Sequence, residues 1–325
     1  MQRYYLETAC TDPWHNLALE EYLFDRLQPG DAILYIWQNQ NTVVIGKNQN
    51  AWKECRHELL EREGGKLARR SSGGGAVFHD LGNLCFTFVM SKELYDVETQ
   101  LGVVLGALRN LGIDAVFSGR NDLTVDGQKF SGNAFCHRKQ GAVHHGTLLV
   151  DVDYGKMTRY LAVSPDKIQS KGIDSVRSRV VNLTEKRADL TMGMLKEALR
   201  ASFEAVYDGP CQQLAEPGDG ELRPLYEKYA SWDWRFGQSP TFDMVLEQRF
   251  PWGGVELCLS SREGLVTGCK LYSDAMDEAF IEAVAAALPG TAFRSAALAE
   301  RVRGLGEANP QVAGDLAAWL LDKGI

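Results

Sequence analysis

The chain has 325 residues, of which 45% are apolar and 24% charged, the balance of an ordinary globular protein. No stretch approaches the ~20 consecutive apolar residues that a membrane-spanning helix needs, and the N-terminal residues lack the apolar core of a signal peptide. We therefore expect a cytoplasmic protein without membrane contacts. The formal net charge of −8 argues against a nucleic-acid-binding protein, since such proteins present strongly basic surfaces.

Seven cysteines are scattered along the chain, and none forms a Cys-x-x-Cys pair. An odd, dispersed set argues against both a disulfide framework and a zinc site. We predict that most of these cysteines are small buried residues in a reducing compartment.

The first predicted helix spans residues 14–27. Leu17, Phe24 and Leu27 recur on one of its faces at helical spacing. Glu20 falls on the same face, where a carboxylate is costly unless it has a partner. We expect Glu20 to lie at the edge of the apolar stripe.

Strands and helices then alternate along the chain. The expected elements, in order, are strands at 31–37 and 42–46, a helix at 97–111 ending at Gly112, β-structure at 117–135 and 142–152, helices at 189–207 and 221–230, a hairpin at 254–273, and two or three helices within 276–322. Gly and Pro in the segment 232–240 are typical of a linker, so we place a domain boundary near 238–245. The order of the elements predicts an α+β fold with an antiparallel β-core rather than a doubly wound sheet.

A glycine-rich segment follows two arginines, in the order Arg69, Arg70 and then SSGGGAVFHD over 71–80. Glycines allow a backbone to approach a ligand closely and to present converging N–H groups to an anion. Arginine donates well to carboxylate and phosphate. The same run is equally consistent with a flexible turn between strands. It matches neither the P-loop nor the GxGxxG pattern.

The dipeptide Asp126-Gly127 is a strong signal for a two-residue hairpin turn. In a regular hairpin Val125 pairs with Gln128, Thr124 with Lys129, and Leu123 with Phe130. Asp122 then becomes a diagonal neighbour of Lys129 on the face opposite Leu123 and Val125. A lysine held beside a carboxylate could orient a substrate carboxylate and stabilise charge on a phosphate. A solvated surface hairpin with an incidental ion pair fits the pattern as well.

Two further segments carry candidate polar groups. His144 and His145 are adjacent in a predicted strand, so they should point to opposite faces and not form a zinc pair. Residues 167–179 carry four basic side chains around a glycine. This local excess favours a loop over phosphates, although a solvated loop fits equally well.

Together these segments resemble the lipoate–protein ligase A family over essentially the full chain. The motifs that carry the resemblance are DPWHNLALEE at 12–21, TVVIGKNQN at 42–50, RRSSGGGAVFHDLGN at 69–83, GRNDL and KFSGNA within 119–134, HHGTLL at 144–149, SKGIDSVRSRVVNL at 170–183 and WDWRFGQSP at 232–240. The glycine-rich motif combined with the lysine motif is far more specific than either alone.

The resemblance implies a large mixed-sheet catalytic domain of the biotin/lipoate ligase type over 1–240 and a small α+β accessory domain over 241–325. It implies that lipoic acid reacts with ATP to give lipoyl-AMP and pyrophosphate, with Mg²⁺ assisting. The lipoyl group then passes to a lysine of the acceptor. The implied acceptors are lipoyl domains of 2-oxoacid dehydrogenase complexes and the glycine cleavage H protein. A large rearrangement of the C-terminal domain between the two steps is also implied.

The resemblance also implies residue roles. Lys129 corresponds to the family's lysine that contacts the lipoyl carbonyl and the phosphate, and Asp122 would support Lys129 or a metal ion. The implied nucleotide-binding residues are Arg70, Gly75, Ala76, Val77, Phe78 and Lys129. The implied lipoate-binding residues are Lys129, Ser72, Gly74, Gly75, His79, His145, Trp37 and Leu17, with Val44 and Val77 as further lining of an apolar tunnel. Residues 167–180 would close over the intermediate.

Three alternatives remain. An octanoyl- or lipoyltransferase on the same fold would use a nucleophilic cysteine, and Cys85 and Cys136 lie close in sequence to the key motifs. A biotin–protein ligase is disfavoured because the GRGRxG-type loop of that family is missing. A non-enzymatic lipoate-binding protein is disfavoured because Lys129 and the glycine run are both present.

Overall fold

A computed structural model describes residues 1–118, 121–162, 179–236 and 243–323. The chain divides into two compact units. Unit 1 comprises residues 1–44, 51–70 and 77–235, and unit 2 comprises 45–50, 71–76 and 236–325. The roles predicted for a catalytic domain over 1–240 and an accessory domain over 241–325 stay predictions.

The strands are β1 (Gln2–Glu7), β2 (Asp31–Trp37), β3 (Thr42–Ile45), β4 (Lys66–Arg69), β5 (Val77–His79), β6 (Asn83–Ser91), β7 (Val116–Ser118), β8 (Asp122–Val125), β9 (Gln128–Arg138), β10 (Gly141–Leu149), β11 (Gln212–Gln213), β12 (Met244–Phe250), β13 (Gly253–Arg262) and β14 (Leu265–Ser273). The helices are α1 (Pro13–Asp25), α2 (Ala51–Glu54), α3 (His57–Arg62), α4 (Val97–Asn110), α5 (Tyr154–Tyr160), α6 (Met192–Val206), α7 (Asp219–Ala230), α8 (Trp232–Phe236), α9 (Glu278–Ala287), α10 (Ser295–Arg303) and α11 (Pro310–Asp322).

Unit 1 is built around an eight-stranded mixed sheet in the order β11-β1-β2-β6-β10-β9-β8-β7. β1 runs parallel to β2 and to β11, whereas the remaining neighbours from β2 to β7 are antiparallel. β2 and β6 are buried along their whole length, as their nearly unbroken apolar sequences require. This confirms the α+β class and the antiparallel core.

The two faces of the large sheet carry different apolar clusters. Helices α4 and α6 contribute to the cluster on one face, together with Leu123, Val125 and Phe130. Helices α1 and α7 contribute to the cluster on the other face, which we call the α1 face. A second, three-stranded sheet in the order β4-β3-β5 contains the predicted strand at 42–46, and its strand β5 follows the glycine run.

Helix α1 begins where the sequence provides a cap and a suitable first residue. The Asp12 side chain accepts a hydrogen bond from the Trp14 N–H at 3.0 Å, and Pro13 occupies the first turn, where a missing N–H costs nothing. Leu17, Phe24 and Leu27 are all buried, as their spacing predicted. Helix α4 ends at Asn110, and Gly112 follows at φ +73°.

Unit 2 contains a three-stranded sheet in the order β12-β13-β14 and helices α9 to α11. The predicted hairpin at 254–273 is present as β13 and β14, and β12 adds an edge strand that the sequence pattern did not reveal. The three helices confirm the expectation for 276–322. Among the residues that the structure describes, no helix is both long and apolar enough to cross a membrane.

Candidate active site

Lys129 lies at the start of β9, beyond the predicted hairpin turn. Asp126 and Gly127 both have positive φ, and Val125 pairs with Gln128 and Thr124 with Lys129, as predicted. The predicted pairing of Leu123 with Phe130 is wrong. A β-bulge shifts the register between Leu123 and Thr124, so that Leu123 pairs with Ser131.

The bulge decides which face of the sheet receives Lys129. His145 pairs with Ala134 on the α1 face, so Gly132 belongs to that face as well. In a regular strand Lys129 would point to the opposite face from Gly132, because the two residues are three positions apart and side chains alternate between faces. The extra residue, Phe130, turns Lys129 back to the face of Gly132.

The ammonium group of Lys129 lies over Gly132. A Cβ atom placed on Gly132 would be 3.2 Å from Lys129 Nζ and 3.3 Å from Cε, so a larger residue would require the end of the lysine side chain to move slightly. Lys129 Nζ is 2.7 Å from Asp122 Oδ1, and this oxygen is inaccessible to solvent. This contact is an ion pair.

The Lys129 backbone is also held. Its N–H donates to the Arg179 carbonyl at 2.9 Å, and its own carbonyl accepts from the Val181 N–H at 2.9 Å. The start of the bulged strand is therefore paired on both sides, with β8 and with the segment around Val180. This double pairing restricts where the side chain can reach.

The apolar residues predicted to line a tunnel lie together on the α1 face. Leu17, Trp37 and Val44 are buried in one cluster, and Val77 packs against it. Because Lys129 Nζ lies on the same face, the structure provides a charged group and an apolar cluster on one side of the sheet.

Glu20 is buried in the same region, so the expectation that it lies at the edge of the helix stripe is wrong. Its carboxylate accepts from Thr87 Oγ1 at 2.8 Å and lies 2.8 Å from His145 Nδ1. Trp37 Nε1 donates to Thr87 Oγ1 at 3.0 Å and extends the chain of hydrogen bonds. These partners offset the desolvation of the carboxylate, a cost that the sequence had already indicated.

His144 and His145 point to opposite faces, as predicted for adjacent strand residues. His144 lies 2.9 Å from Gln100 Oε1 and 2.9 Å from Asn133 Oδ1, and burial lowers its pKa to about 3. His145 faces Glu20 on the α1 face. Of the pair, only His145 therefore lies with the candidate site.

His79 ends β5 and is almost fully buried. Its Nδ1 is 3.1 Å from Asn39 Nδ2 and 3.6 Å from Cys85 Sγ, and its ring packs edge-on to Trp37. Burial, together with the nearby Arg70 and His145, lowers the pKa of His79 to about 3. The ring is therefore neutral at physiological pH.

The two arginines before the glycine run lie in different surroundings. The Arg69 guanidinium donates to the carbonyls of Trp234 at 2.9 Å and Arg235 at 2.7 Å, and the Trp234 indole donates back to the Arg69 carbonyl at 2.8 Å. Arg69 therefore has a structural role, since its hydrogen bonds fix helix α8 against the end of β4. Arg70 is buried next to β3, where it contacts the Val44 carbonyl, and it influences the pKa of His79.

The glycine-rich segment 71–76 belongs to unit 2. There the Ser72 carbonyl accepts from the Lys47 N–H at 2.8 Å, and the Gly74 N–H donates to the Ala275 carbonyl at 3.1 Å. Ser72 is fully buried, whereas a Cβ atom on Gly75 would meet nothing within 4 Å. The structure thus fixes Ser72 and Gly74 and leaves open space beside Gly75. Ala76 follows Gly75 and is half-buried.

Phe78 is buried in β5 between Val77 and His79, and its ring lies 5.6 Å from that of Tyr160. The backbone of β5 is paired with β3, so Phe78 and Val77 are ordered by the small sheet. Gly119, Arg120 and most of the basic segment 167–180 lie outside the residues that the structure describes, and the predictions for them stay predictions.

The cysteines do not resemble activated nucleophiles. All seven are free thiols, and five of them are buried, as predicted. Burial raises the pKa of the Cys85 thiol well above its usual range, with a further rise from Glu20. A thiol in these surroundings is a poor nucleophile, because the thiolate is the reactive form. Cys136 is buried in the same apolar cluster.

Among the described residues, no group of three or more His, Cys, Asp or Glu side chains could hold a metal ion. Asp122 is the one carboxylate assigned to a metal from the sequence, and it is already paired with Lys129. A single carboxylate still fits Mg²⁺, which usually binds through substrate phosphates, waters and one or two carboxylates.

Two family models match the chain. The model of the lipoyl protein ligase A/B catalytic domain matches residues 12–204, more than half of the chain, and the model of the bacterial lipoate protein ligase C-terminus matches 239–316. The chain belongs to the lipoate–protein ligase family. It is therefore an enzyme of the ligase class, and its large mixed sheet with a smaller C-terminal α+β unit is the fold of that family.

Solved structures agree with the family models. LipL1 of P. falciparum in complex with lipoate is 28% identical to this ligase with a TM-score of 0.87, and the match covers 98% of this chain and 99% of LipL1. The bipartite lipoate protein ligase of Thermoplasma acidophilum, studied with its E2 lipoyl domain, is 30% identical with a TM-score of 0.66, over 75% of this chain and 100% of the relative. Lipoate-protein ligase A bound with ATP is 29% identical with a TM-score of 0.64, over 73% and 99%.

Proposed function

We propose that this ligase activates lipoate with ATP to form lipoyl-AMP and then transfers the lipoyl group to a lysine of an acceptor protein. The observation that carries the proposal is the position of Lys129, whose ammonium lies over Gly132. The same face of the sheet carries the buried apolar cluster that contains Leu17 and Trp37. The relatives solved with lipoate and with ATP support the two substrates.

In the first step a lipoate carboxylate oxygen attacks the α-phosphorus of ATP. A new P–O bond forms, and the bond to pyrophosphate breaks. Two anions must approach each other, so fixed cations lower the barrier. Lys129 would contact the carboxylate and the α-phosphate, and Arg70 would add a second positive charge. Mg²⁺ bound to the ATP phosphates would neutralise the leaving pyrophosphate, with Asp122 as a candidate ligand or as support for Lys129.

In the second step the amine of the acceptor lysine attacks the carbonyl carbon of lipoyl-AMP. The C–N bond forms, the C–O bond to AMP breaks, and the amine loses a proton. The mixed anhydride hydrolyses easily, so the site must exclude water until the acceptor arrives. The burial of Trp37, His79 and His145 supports such a dry acyl site.

We assign ATP binding to the segment from Gly75 through Phe78 with Arg70 and Lys129. We assign lipoate binding to residues of the α1 face and to residues of the glycine-rich segment. The lipoate-binding residues are Leu17, Trp37, Ser72, Gly74, Gly75, His79, Lys129 and His145. Open space beside Gly75 and the small sheet that orders Val77 and Phe78 support the nucleotide assignment.

The proposed acceptors are lipoyl domains of 2-oxoacid dehydrogenase complexes and the glycine cleavage H protein. The relative studied with its E2 lipoyl domain supports the first class. The proposed compartment is the cytoplasm.

The test is lipoate-dependent exchange of pyrophosphate into ATP. We expect exchange in the wild type and a loss of about 100-fold to 1,000-fold in Lys129→Ala, because a preorganised cation is removed from the developing charge. Lys186→Ala is the matched control, since Lys186 also pairs with an aspartate, Asp126, at 2.8 Å. Its exchange rate should match the wild type.

Cys85→Ala and Cys136→Ala test the transferase alternative. Both should retain exchange, because neither thiol has a role in adenylation. Folded wild-type protein without exchange would refute the ligase proposal. Acyl transfer from a carrier protein that is lost in Cys85→Ala would replace it. Mass spectrometry of an acceptor lipoyl domain then checks the second step.

A further inference from the structure

Two asparagines join the strands that carry Asp122 and Lys129. The Asn121 carbonyl accepts from the Asn133 N–H at 2.8 Å and from the Asn133 amide at 3.0 Å, and the Asn121 amide donates to the Asn133 carbonyl at 2.9 Å. We call these three hydrogen bonds the asparagine clamp. Asp122, the residue after Asn121, pairs with Gly132. Gly132 immediately precedes Asn133, so the clamp lies directly beside the ion pair of Lys129.

The Asn133 side chain lies on the opposite face of the sheet from Gly132 and Lys129. It is almost fully buried, and its oxygen Oδ1 lies 2.9 Å from His144 Nε2. Gly146 is directly opposite Asn133 in the ladder of β9 and β10, and a Cβ atom at 146 would be 2.7 Å from this oxygen. The absence of a side chain at 146 therefore leaves room for the asparagine amide to reach His144.

The proton positions in this chain of contacts follow from the groups that surround them. Asn133 Nδ2 faces the Asn121 carbonyl, which can only accept, so the NH₂ group is on that side and the amide oxygen faces His144. Burial lowers the pKa of His144 to about 3, so the ring is neutral and carries one proton. That proton must be on Nε2, where it is donated to Asn133. Nδ1 therefore carries a lone pair and needs a donor.

The Gln100 amide can supply that donor. Gln100 Oε1 lies 2.9 Å from His144 Nδ1, while Gln100 Nε2 is buried without a partner among the described residues. Two lone pairs would face each other in this orientation, so the amide must be reversed, with its NH₂ group towards Nδ1. The oxygen is then available to Tyr207, whose buried hydroxyl also has no partner among those residues and is close enough to Gln100 for the amide to influence its pKa.

The polar chain crosses an apolar part of the protein. His144 packs against the rings of Phe86, Phe88 and Phe135, next to the cluster to which α4 and α6 contribute. Apolar side chains could fill such a site without the desolvation cost of an imidazole and two amides. A fully paired buried network instead fixes one arrangement of the segments that it joins. The segment at its end is the one that carries Asp122.

We propose that Asn133 and His144 are positioning residues, which hold the segment 121–122 against β9 and thereby keep Asp122 beside Lys129 during adenylation. The inference rests on the proposed function and deepens it, because it gives a role to side chains on the face opposite the candidate site. Neither residue would touch the substrate, and both would act through Asp122. A small displacement of a catalytic group is enough to lower a rate substantially.

The hydrogen-bond chain is tested first, in the wild-type protein without ligand. The ¹⁵N chemical shifts of the two ring nitrogens distinguish the Nε2–H form of His144 from the Nδ1–H form and from the cation. We expect the Nε2–H form at neutral pH. An Nδ1–H ring or a cation would overturn the inference, because neither is compatible with the derived orientations of both Asn133 and Gln100.

Pyrophosphate exchange tests the positioning role. In Asn133→Ala we expect a maximal exchange rate about 10-fold lower, with the KM values for ATP and lipoate within about threefold of the wild type. His144→Asn should behave in the same way, because its short amide reaches only the Nδ1 position. His144→Gln can place an amide NH₂ near the Nε2 position and should stay within about threefold of the wild type. Equal rates in His144→Asn and His144→Gln would overturn the inference.

Ser202→Ala is the matched control, because it also removes a buried hydrogen bond on this side of the sheet, 2.7 Å long, to the Val103 carbonyl. It should lower the stability to urea as Asn133→Ala does and leave the exchange rate unchanged. Equal losses of exchange in the two variants would show a general effect of destabilisation and overturn the inference.

The Asp122→Ala background separates positioning from a structural role. Asn133→Ala should add no further loss of exchange there, because its effect passes through Asp122, whereas a multiplied loss would overturn the inference. If the folded wild type exchanges no pyrophosphate, the proposed function fails. A crystal structure of Asn133→Ala still tests the positioning in that case. The distance from Lys129 Nζ to Asp122 Oδ1 should exceed about 4 Å, the limit of an ion pair. An unchanged 2.7 Å would overturn the inference.

Discussion

At the scale of single residues, the position of Lys129 depends on the missing side chain of Gly132. A Cβ atom at position 132 would be in tight contact with Lys129 Nζ at 3.2 Å and Cε at 3.3 Å. The same ammonium is paired with Asp122 at 2.7 Å. One glycine and one carboxylate thus direct a flexible cation to one place.

Gly132→Ala should therefore impair adenylation more than folding. The new methyl group meets only the far end of a flexible side chain, so we expect a loss of stability below about 1 kcal/mol. Displacing the ammonium should lower lipoate-dependent pyrophosphate exchange by about 10-fold or more. Gly102→Ala in α4, where a Cβ atom meets nothing within 4 Å, is the control and should leave exchange unchanged. Equal exchange rates in both variants would show that the Lys129 position is not critical.

Glu20 is the second residue whose partners decide its effect. Glu20→Ala leaves the Thr87 hydroxyl and His145 Nδ1 without their acceptor in a buried site. We expect a loss of about 3 kcal/mol in the free energy of unfolding, measured by urea denaturation. Asp25→Ala, in the same helix but exposed, should cost less than about 1 kcal/mol. Similar values for the two variants would contradict the importance of the buried network.

At the scale of elements, two irregular backbone features shape the candidate site. They are the bulge in β9 and the glycine-rich segment 71–76. The bulge restores Lys129 to the face of Gly132. In unit 2 the segment 71–76 approaches the backbone at Ala275 so closely that a Cβ atom on Gly73 would lie 2.5 Å from the Ala275 carbonyl oxygen. The glycines of the run therefore have different roles.

Gly73→Ala and Gly75→Ala separate these roles. Gly73→Ala forces two backbone segments apart, and we expect a loss of about 1–3 kcal/mol in stability together with faster hydrogen exchange around Ala275. Gly75→Ala meets nothing within 4 Å and should stay within about 0.5 kcal/mol of the wild type. Any effect of Gly75→Ala should instead appear in the KM for ATP. Equal destabilisation by both substitutions would contradict the packing of the segment.

At the scale of the whole molecule, two buried neutral histidines link stability to pH. His79 and His144 each have a pKa of about 3 in the folded protein, against about 6.5 in the unfolded chain. Between these values the unfolded state binds more protons, so the free energy of unfolding falls as the pH falls. The contribution is fully present above about pH 6.5 and is lost progressively towards pH 3.

His144→Gln isolates one of the two groups. Each histidine contributes up to about 1.4 kcal/mol per pH unit to the slope within this window. Urea denaturation at several values between about pH 5 and 6.5 should therefore give a shallower slope in His144→Gln, by roughly that amount. The amide retains hydrogen-bonding capacity towards Gln100 and Asn133, which limits the loss at neutral pH. Identical slopes would show that His144 is protonated in the folded state.

The sequence by itself determined the local features of this protein and, through its motifs, the family. The helix over Leu17 and Phe24, the Asp126-Gly127 turn and the opposite directions of His144 and His145 all follow from spacings of a few residues, which the backbone geometry enforces directly. The mixed α+β class followed from the order of such elements.

Only the tertiary structure decided how distant segments meet. Glu20 was expected at an edge but is buried, because its partners Thr87 and His145 are 67 and 125 residues away. The bulge at Phe130 places that ring in the cluster with Leu123 and Val125, whereas a regular hairpin satisfies the same local pattern. Such contacts are set by the packing of whole elements, which periodicity within one segment does not encode.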